Sequence, residues 1–282
     1  MTVAVVTDST SYLPARAAAD LGIRVVPLHV RVGSQTHRDG VTLGAAELAE
    51  AMGRKIPVST SRAGPAELAA AYRAALDEGA TAVVAVHLSR KLSGTWEAAR
   101  LAAEELGGPR IVRVVDSRSA AMGLGYAALA AAVAARDGAS AADVEEVAAA
   151  IAARTRTFFS VDTLEHLRRG GRIGRSAALL GTALAVKPLL HVVDGRIEPL
   201  EKVRTAAKAV ARLADLAVEA AGTAPCRVAV HHLAAPNRAD QLVTRIREVV
   251  PRARDIVLAE LGAVLGAHTG PGALGVVILP DA

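Results

Sequence analysis

Thr81-Ala82-Val83-Val84-Ala85-Val86 runs directly into His87-Leu88-Ser89-Arg90-Lys91-Leu92-Ser93-Gly94-Thr95, and an Ala-rich stretch then continues to Leu106. A short unbroken apolar run rich in β-branched residues, followed by turn residues and a helix-forming segment, reads as a buried strand feeding a helix. The same rhythm extends outward in both directions. Val3–Thr7, Arg24–Val30 and Arg110–Val115 read as further buried strands, and Pro65–Asp77, Gly94–Leu106 and Gly123–Arg136 as helices. Strands alternating with helices imply crossover units, hence a mainly parallel sheet covered on both faces. Pro65 just inside a helix start, and Ser140 three residues before Asp143 at the head of Ala141–Ala153, are start signals. After Arg156 the rhythm changes: a strand at Thr157–Val161 leads into a basic, Gly-punctuated segment and then further strand and helix units. The pattern predicts a two-lobed α/β chain. Residues 1–155 form an N-terminal domain with a mainly parallel sheet flanked by helices, and residues 156–282 a smaller C-terminal α/β domain.

Composition narrows the partners. Hydrophobic residues make up 52% of the 282 residues but aromatics only 2%, so Ala, Val and Leu must fill the core and leave smooth aliphatic inner surfaces. The net charge of +5 raises nucleic acid as a partner. The arginines are spread along the whole chain, however, and one Trp, three Tyr and two Phe do not build a base-stacking platform. Cys226 is the sole cysteine and sits in a strand pattern, which excludes an internal disulfide, suits a reducing cytoplasm and fits a small core residue better than a nucleophile. The chain enters its first strand pattern without the basic start of a signal peptide. Its longest apolar run, Leu124 to Ala135, falls well short of the ~20 residues that span a bilayer. A soluble, cytoplasmic protein without stable membrane insertion is expected.

Ligands of open parallel sheets gather where loops leave the carboxyl ends of strands. Here those exits carry hydroxyls: Asp8-Ser9-Thr10-Ser11, Ser59-Thr60-Ser61-Arg62, Ser89 to Thr95, and Asp116-Ser117-Arg118-Ser119. Ser93-Gly94-Thr95 stands where an exit becomes a helix, a place that suits an anion, although Ser93 or Thr95 serving as a plain helix cap is equally in keeping with the sequence. His268 lies in Gly266-Ala267-His268-Thr269-Gly270-Pro271-Gly272-Ala273, which reads as a rigid loop too rich in Gly and Pro for a regular element. The remaining histidines show no metal-ligand spacing, and no metal site is expected. Leu167-Arg168-Arg169-Gly170-Gly171-Arg172-Ile173-Gly174-Arg175 reads as a mobile or tightly turned basic loop, either a solvated turn or a phosphate- or partner-binding one. Its glycines have the wrong spacing for a Walker loop. The late glycines fail as a dinucleotide fingerprint because no helix follows them, and no Gly-x-Ser-x-Gly elbow occurs. Asp8, Asp116 and Asp162 make no paired-carboxylate signature, so no catalytic residue is assigned.

Taken in order, several blocks resemble the DegV family over essentially the whole length. They are Val6-Thr7-Asp8-Ser9-Thr10, Ser59-Thr60-Ser61-Arg62, Leu92-Ser93-Gly94-Thr95, Val115 to Ser119 with Met122-Gly123-Leu124-Gly125, and Leu164 to Gly174. Val186-Lys187-Pro188-Leu189-Leu190, Lys202-Val203-Arg204-Thr205 and Gly266 to Gly275 complete the series. The resemblance implies a fatty acid buried between two α/β lobes, its carboxylate met by Thr60, Ser93 and His268, with Ser61, Gly94, Thr95 and Met122 nearby. It implies no cofactor beyond that ligand. It further implies a lipid-loading role, in which a separate ATP-binding fatty acid kinase subunit phosphorylates the presented acid for phospholipid synthesis. Arg168, Arg169, Arg172 and Arg204 are then the groups to meet acyl phosphate or the kinase. The sequence departs from the family pattern at Ala63-Gly64 and at Arg90-Lys91-Leu92, both flanking the head-group site. The alternative is a phosphate- or nucleotide-handling transferase using the same strand exits.

Overall fold

A computed structural model describes residues 2–174 and 186–281. The first half runs β1 (Val3–Asp8), α1 (Ala15–Asp20), β2 (Arg24–Val26), β3 (His29–Val32), β4 (Gln35–Arg38), α2 (Ala45–Gly53), β5 (Val58–Ser61) and α3 (Pro65–Asp77). It continues with β6 (Ala82–His87), α4 (Thr95–Glu105), β7 (Val112–Asp116), α5 (Met122–Arg136) and α6 (Ala141–Arg154). Strands β1, β2, β6 and β7 pair in parallel in the order β2-β1-β6-β7. All six β6 residues are buried, as a central strand covered on both faces requires. The alanine faces of α4 and α5, including Ala98, Ala99, Ala127 and Ala128, let both helices approach the sheet closely. Helix α3 starts at Pro65, whose missing N–H is no loss there, and Glu67 accepts the Gly64 N–H at 2.8 Å. Ser140 and Asp143 form the reciprocal cap of α6.

One expected strand is two. Arg24–Val30 breaks at Pro27, which has no N–H to donate to a ladder. Upstream of it β2 joins the parallel sheet; downstream, β3 pairs antiparallel with β4 and β5 in a separate three-stranded sheet.

The second half runs β8 (Arg156–Ser160), α7 (Glu165–Arg169), β9 (Lys187–Val193), β10 (Arg196–Val203), α8 (Ala206–Ala221), β11 (Cys226–His232), α9 (Pro236–Val249), β12 (Ala253–Glu260), α10 (Ala263–Thr269) and β13 (Leu274–Pro280). Its strands order as β10-β9-β8-β13-β11-β12, antiparallel except for β11 with β12. Successive β13 side chains face opposite ways. Val276 and Ile278 pack toward α8 and α9, while Val277 and Leu279 meet Met122 and Tyr126 of α5. Cys226 is fully buried at the start of β11. The largest core runs continuously from Val83–Val86 to Leu164, Leu167, Leu190 and Val264 of the second half. Among the described residues, no helix is long and apolar enough to cross a membrane.

Candidate functional site

Where the large sheet faces Ala120, Ala121 and Leu28, a cavity encloses about 960 Å³ of space between atoms, its open mouth included. Its walls are apolar over most of their area, and both phenylalanines of the chain, Phe158 and Phe159, line them from β8. The expected aliphatic lining thus includes two aromatic residues, and Met122, expected beside the ligand, is not among the lining residues. Met122 packs behind the cavity with Tyr126 and Ala229, and what it offers the site is its backbone N–H, donated to His231 Nε2 at 3.3 Å. His231 lines the cavity, and its Nδ1–H donates to the Ala259 carbonyl at 3.2 Å. Both ring nitrogens are thus committed, and burial pushes its pKa down to about 4.

Thr60, Ser61, Arg62, Ser93, Arg172 and His268 are among the cavity's polar lining residues, together with Thr157, His231 and Thr269. Thr60 is not on a parallel-strand exit but in β5, paired with Val30 of β3. Its hydroxyl lies 2.7 Å from His268 Nε2, across 208 residues of sequence. Nor is His268 in a loop. It rides on α10, because distant groups satisfy that helix's free N–H donors: Asp39 Oδ1 accepts from Ala263 N–H at 2.7 Å and the Tyr12 hydroxyl from Leu265 N–H at 3.2 Å. Gly270, at φ +76°, then ends the helix. Burial, with the nearby Arg172 charge, lowers the His268 pKa to about 4, so the ring is neutral near pH 7.

Gly94, not Ser93 or Thr95, is the N-cap of α4, and Ser93 precedes it. The Ser93 Oγ accepts the Thr95 N–H at 3.3 Å and sits 2.9 Å from Thr95 Oγ1, while the half-buried side chain still lines the cavity. Thr95 is buried behind it. Gly94 leaves room for Arg62, since a Cβ at Gly94 would come within 3.3 Å of Arg62 Nη1. Arg172 donates through Nε to the Leu92 carbonyl at 3.0 Å and through Nη1 to the Gly170 carbonyl. The basic segment expected as a loop begins as helix α7, which includes Leu167, Arg168 and Arg169. Arg168 and Arg169 are exposed, Arg169 paired with Glu165; Arg204 is exposed just past β10 and lines neither the cavity nor the basin beside it. Arg175 lies outside the described residues.

That basin is more polar than the cavity, although Met52, Ile56, Pro57, Val58 and Ala267 also line it. Lys55, Ser59, Glu165, His166 and Arg169 line it, and it shares Thr60, Arg172 and His268 with the apolar cavity. These three stand between a largely apolar space and a more polar surface that carries Lys55, Glu165 and Arg169. No group of three or more His, Cys, Asp or Glu able to hold a metal occurs among the described residues.

The profile of the DegV family matches residues 2–281. The chain belongs to the DegV family. A DegV domain-containing protein of Streptomyces coelicolor is 53% identical over 98% of both chains. A fatty-acid-binding DegV family protein from Thermus thermophilus superposes with a TM-score of 0.94 at 34% identity over 100% of both chains. DegV of Bacillus subtilis, a fatty acid binding protein, does so at 0.89 and 33%, again over 100% of both. Within this DegV frame, Arg62 and the two phenylalanines are site residues that the sequence did not single out. Arg62 stood in the quoted Ser59–Arg62 block and could have been found there. Phe158 and Phe159 carried no signal beyond being the only two of their kind.

Proposed function

We propose that this chain binds one long-chain fatty acid and presents its carboxylate to a separate ATP-dependent kinase subunit for acyl phosphate formation. The observation that carries the reading is the Thr60–His268 pair at the neck between a largely apolar cavity and a more polar basin. If neutral His268 donates through Nε2–H, Thr60 Oγ1 accepts, and the threonine proton is left free to hydrogen-bond a carboxylate. Ser93 supplies a second hydroxyl. Small neutral donors hold the group while leaving an oxygen available as a nucleophile, whereas a bidentate arginine would engage both oxygens. Arg172, with its guanidinium directed at the Leu92 and Gly170 carbonyls, fits that division of labour. Burying a dozen methylenes at ~0.8 kcal/mol each favours retention by roughly 10 kcal/mol before the several kcal/mol cost of association. The fatty-acid-binding relatives of the same fold support the lipid half of the reading.

In this reading the lobes 1–155 and 156–282 clasp the acyl chain, no cofactor takes part, and the protein works in the cytoplasm. Ser61, Gly94 and Thr95 support the head-group site. Arg168, Arg169, Arg172 and Arg204 serve acyl phosphate or the kinase; Arg169 and Arg172 both line the basin, and of these two Arg169 is the exposed one. Organic extraction and mass spectrometry are expected to release about one fatty acid per chain, and Ser93→Ala to weaken retention roughly tenfold or more, as loss of a hydrogen bond to a charged group implies. Empty protein that nucleotide stabilises would overturn the reading in favour of a transferase. Arg169→Glu is expected to cut ATP-dependent acyl phosphate formation by the reconstituted pair severalfold while lipid still co-extracts. Undiminished turnover would remove the basic surface from the kinase contact.

A further inference from the structure

Helices α7 and α10 meet through two reciprocal histidine–glycine contacts. A Cβ built on Gly170, at the end of α7, would lie 2.2 Å from His268 Nδ1 and 2.8 Å from Cε1. A Cβ built on Gly270, at the end of α10, would lie 2.3 Å from His166 Cδ2 and 2.8 Å from Nε2. Each ring fills the space that a side chain would need on the opposite helix.

The two glycines answer to different constraints. Gly270 has φ +76°, a region that favours glycine on backbone grounds alone. Gly170, the C-cap of α7, has φ −72° and ψ −14°, ordinary right-handed values open to any L-residue. Its backbone therefore gives no reason for glycine, and the His268 ring does. Contact between non-bonded heavy atoms is comfortable near ~3.5 Å, so a methyl at 170 would displace that ring by about 1 Å. The same ring holds the 2.7 Å contact to Thr60 through Nε2, so moving it disturbs that contact. The seat is itself fixed. Gly170 N–H donates to the His166 carbonyl at 2.9 Å, and the Gly170 carbonyl accepts from Arg172, which also holds Leu92 next to Ser93.

We propose that Gly170 is a positioning residue, whose bare Cα seats the His268 ring and aims Nε2 at Thr60, and that the Gly270–His166 contact keeps the two helices in that register. The consequence for lipid rests on the proposed function; the geometry of His268 does not. The test is Gly170→Ala, alone and together with His268→Ala. NMR of the ring nitrogens in lipid-stripped protein is expected to show a His268 that titrates near pH 4 in the native chain. In Gly170→Ala the ring should lose the Thr60 hydrogen bond, read as a shifted Nε2 resonance at pH 7. Lipid retention should fall about tenfold in the native background and not further in the His268→Ala background. An unmoved Nε2 resonance, or an equal loss of retention in both backgrounds, would overturn the proposal. If Gly170→Ala does not fold, removal of the imidazole in the double variant should restore folding; failure of both chains would assign Gly170 another role. A chain that never holds lipid refutes the proposed function, yet its His268 Nε2 resonance still decides the role of Gly170.

Discussion

Replacing His87 by alanine is expected to destabilise the chain by roughly 3–5 kcal/mol, the scale seen when one partner of a buried pair is removed. Asp8, Tyr72 and His87 have no measurable exposure. Asp8 Oδ2 sits 3.0 Å from His87 Nδ1 and accepts the Leu88 N–H at 3.0 Å, while Oδ1 accepts the Thr10 N–H at 3.1 Å. On the far side, His87 Nε2 lies 3.0 Å from the Tyr72 hydroxyl. Truncation at 87 therefore leaves a carboxylate short of a donor, a phenol without a partner and a ring-sized void, three separate penalties in one place. Urea unfolding reads the result. Tyr72→Phe, which removes only the outer hydrogen bond, should cost about 1 kcal/mol in the same measurement. The loss should also reach the ligand site, because Leu88 lines the cavity and opens the segment that carries Ser93. If His87→Ala cost no more than Tyr72→Phe, water would be replacing the imidazole and the network would not be holding that segment.

The same residues explain how far the sequence could be read. Thr81–Val86 and Pro65–Asp77 were legible as β6 and α3 because their signals are local: a β-branched run in the first, a helix-starting proline in the second. The misread segments take their structure from afar. Gly266–Ala273 has the composition of a loop, yet its first residues continue α10, whose start is capped by Asp39 and Tyr12, more than 220 residues upstream. Ser59–Ser61 resembled an exit loop because its hydroxyls suggested one, and only pairing with β3 makes it a strand. The gathering of Thr60, Ser93 and His268 on one wall is likewise a product of tertiary contact that no spacing encodes; the family resemblance brought them together on paper. Met122 shows the opposite limit. Its block matches the family, but strand and helix packing turn its side chain away from the cavity.

Acidification is expected to weaken the fold between pH 6.5 and about 4, with buried neutral imidazoles as the cause. His231 and His268 have folded-state pKa values of about 4 against an ordinary 6.5. In that window the unfolded chain binds the protons that the folded chain refuses. The stabilisation is thus complete above pH 6.5 and lost as pH falls toward 4. A shift of this size is worth about 3 kcal/mol per group at most. His231 should supply the larger share, since it is 3% exposed and protonating Nε2 breaks its contact with Met122 N–H, whereas His268 is only half-buried. Burial holds His166, His191 and His232 down as well, and they act in the same direction. Asp39 acts in the opposite one: burial raises its pKa, so its contribution is present at the lowest pH and lost as pH rises. The raw curve mixes these groups, and the difference between native and His268→Ala chains isolates one. That difference should grow smaller as pH falls from 6.5 to 4. A carboxylate lodged beside His268 favours the protonated ring, so loading with fatty acid should raise the His268 pKa and flatten this part of the curve. Native and His268→Ala chains that lose stability in parallel throughout the window would show that His268 is not held neutral, and loaded and stripped chains with the same slope would show that no carboxylate reaches it.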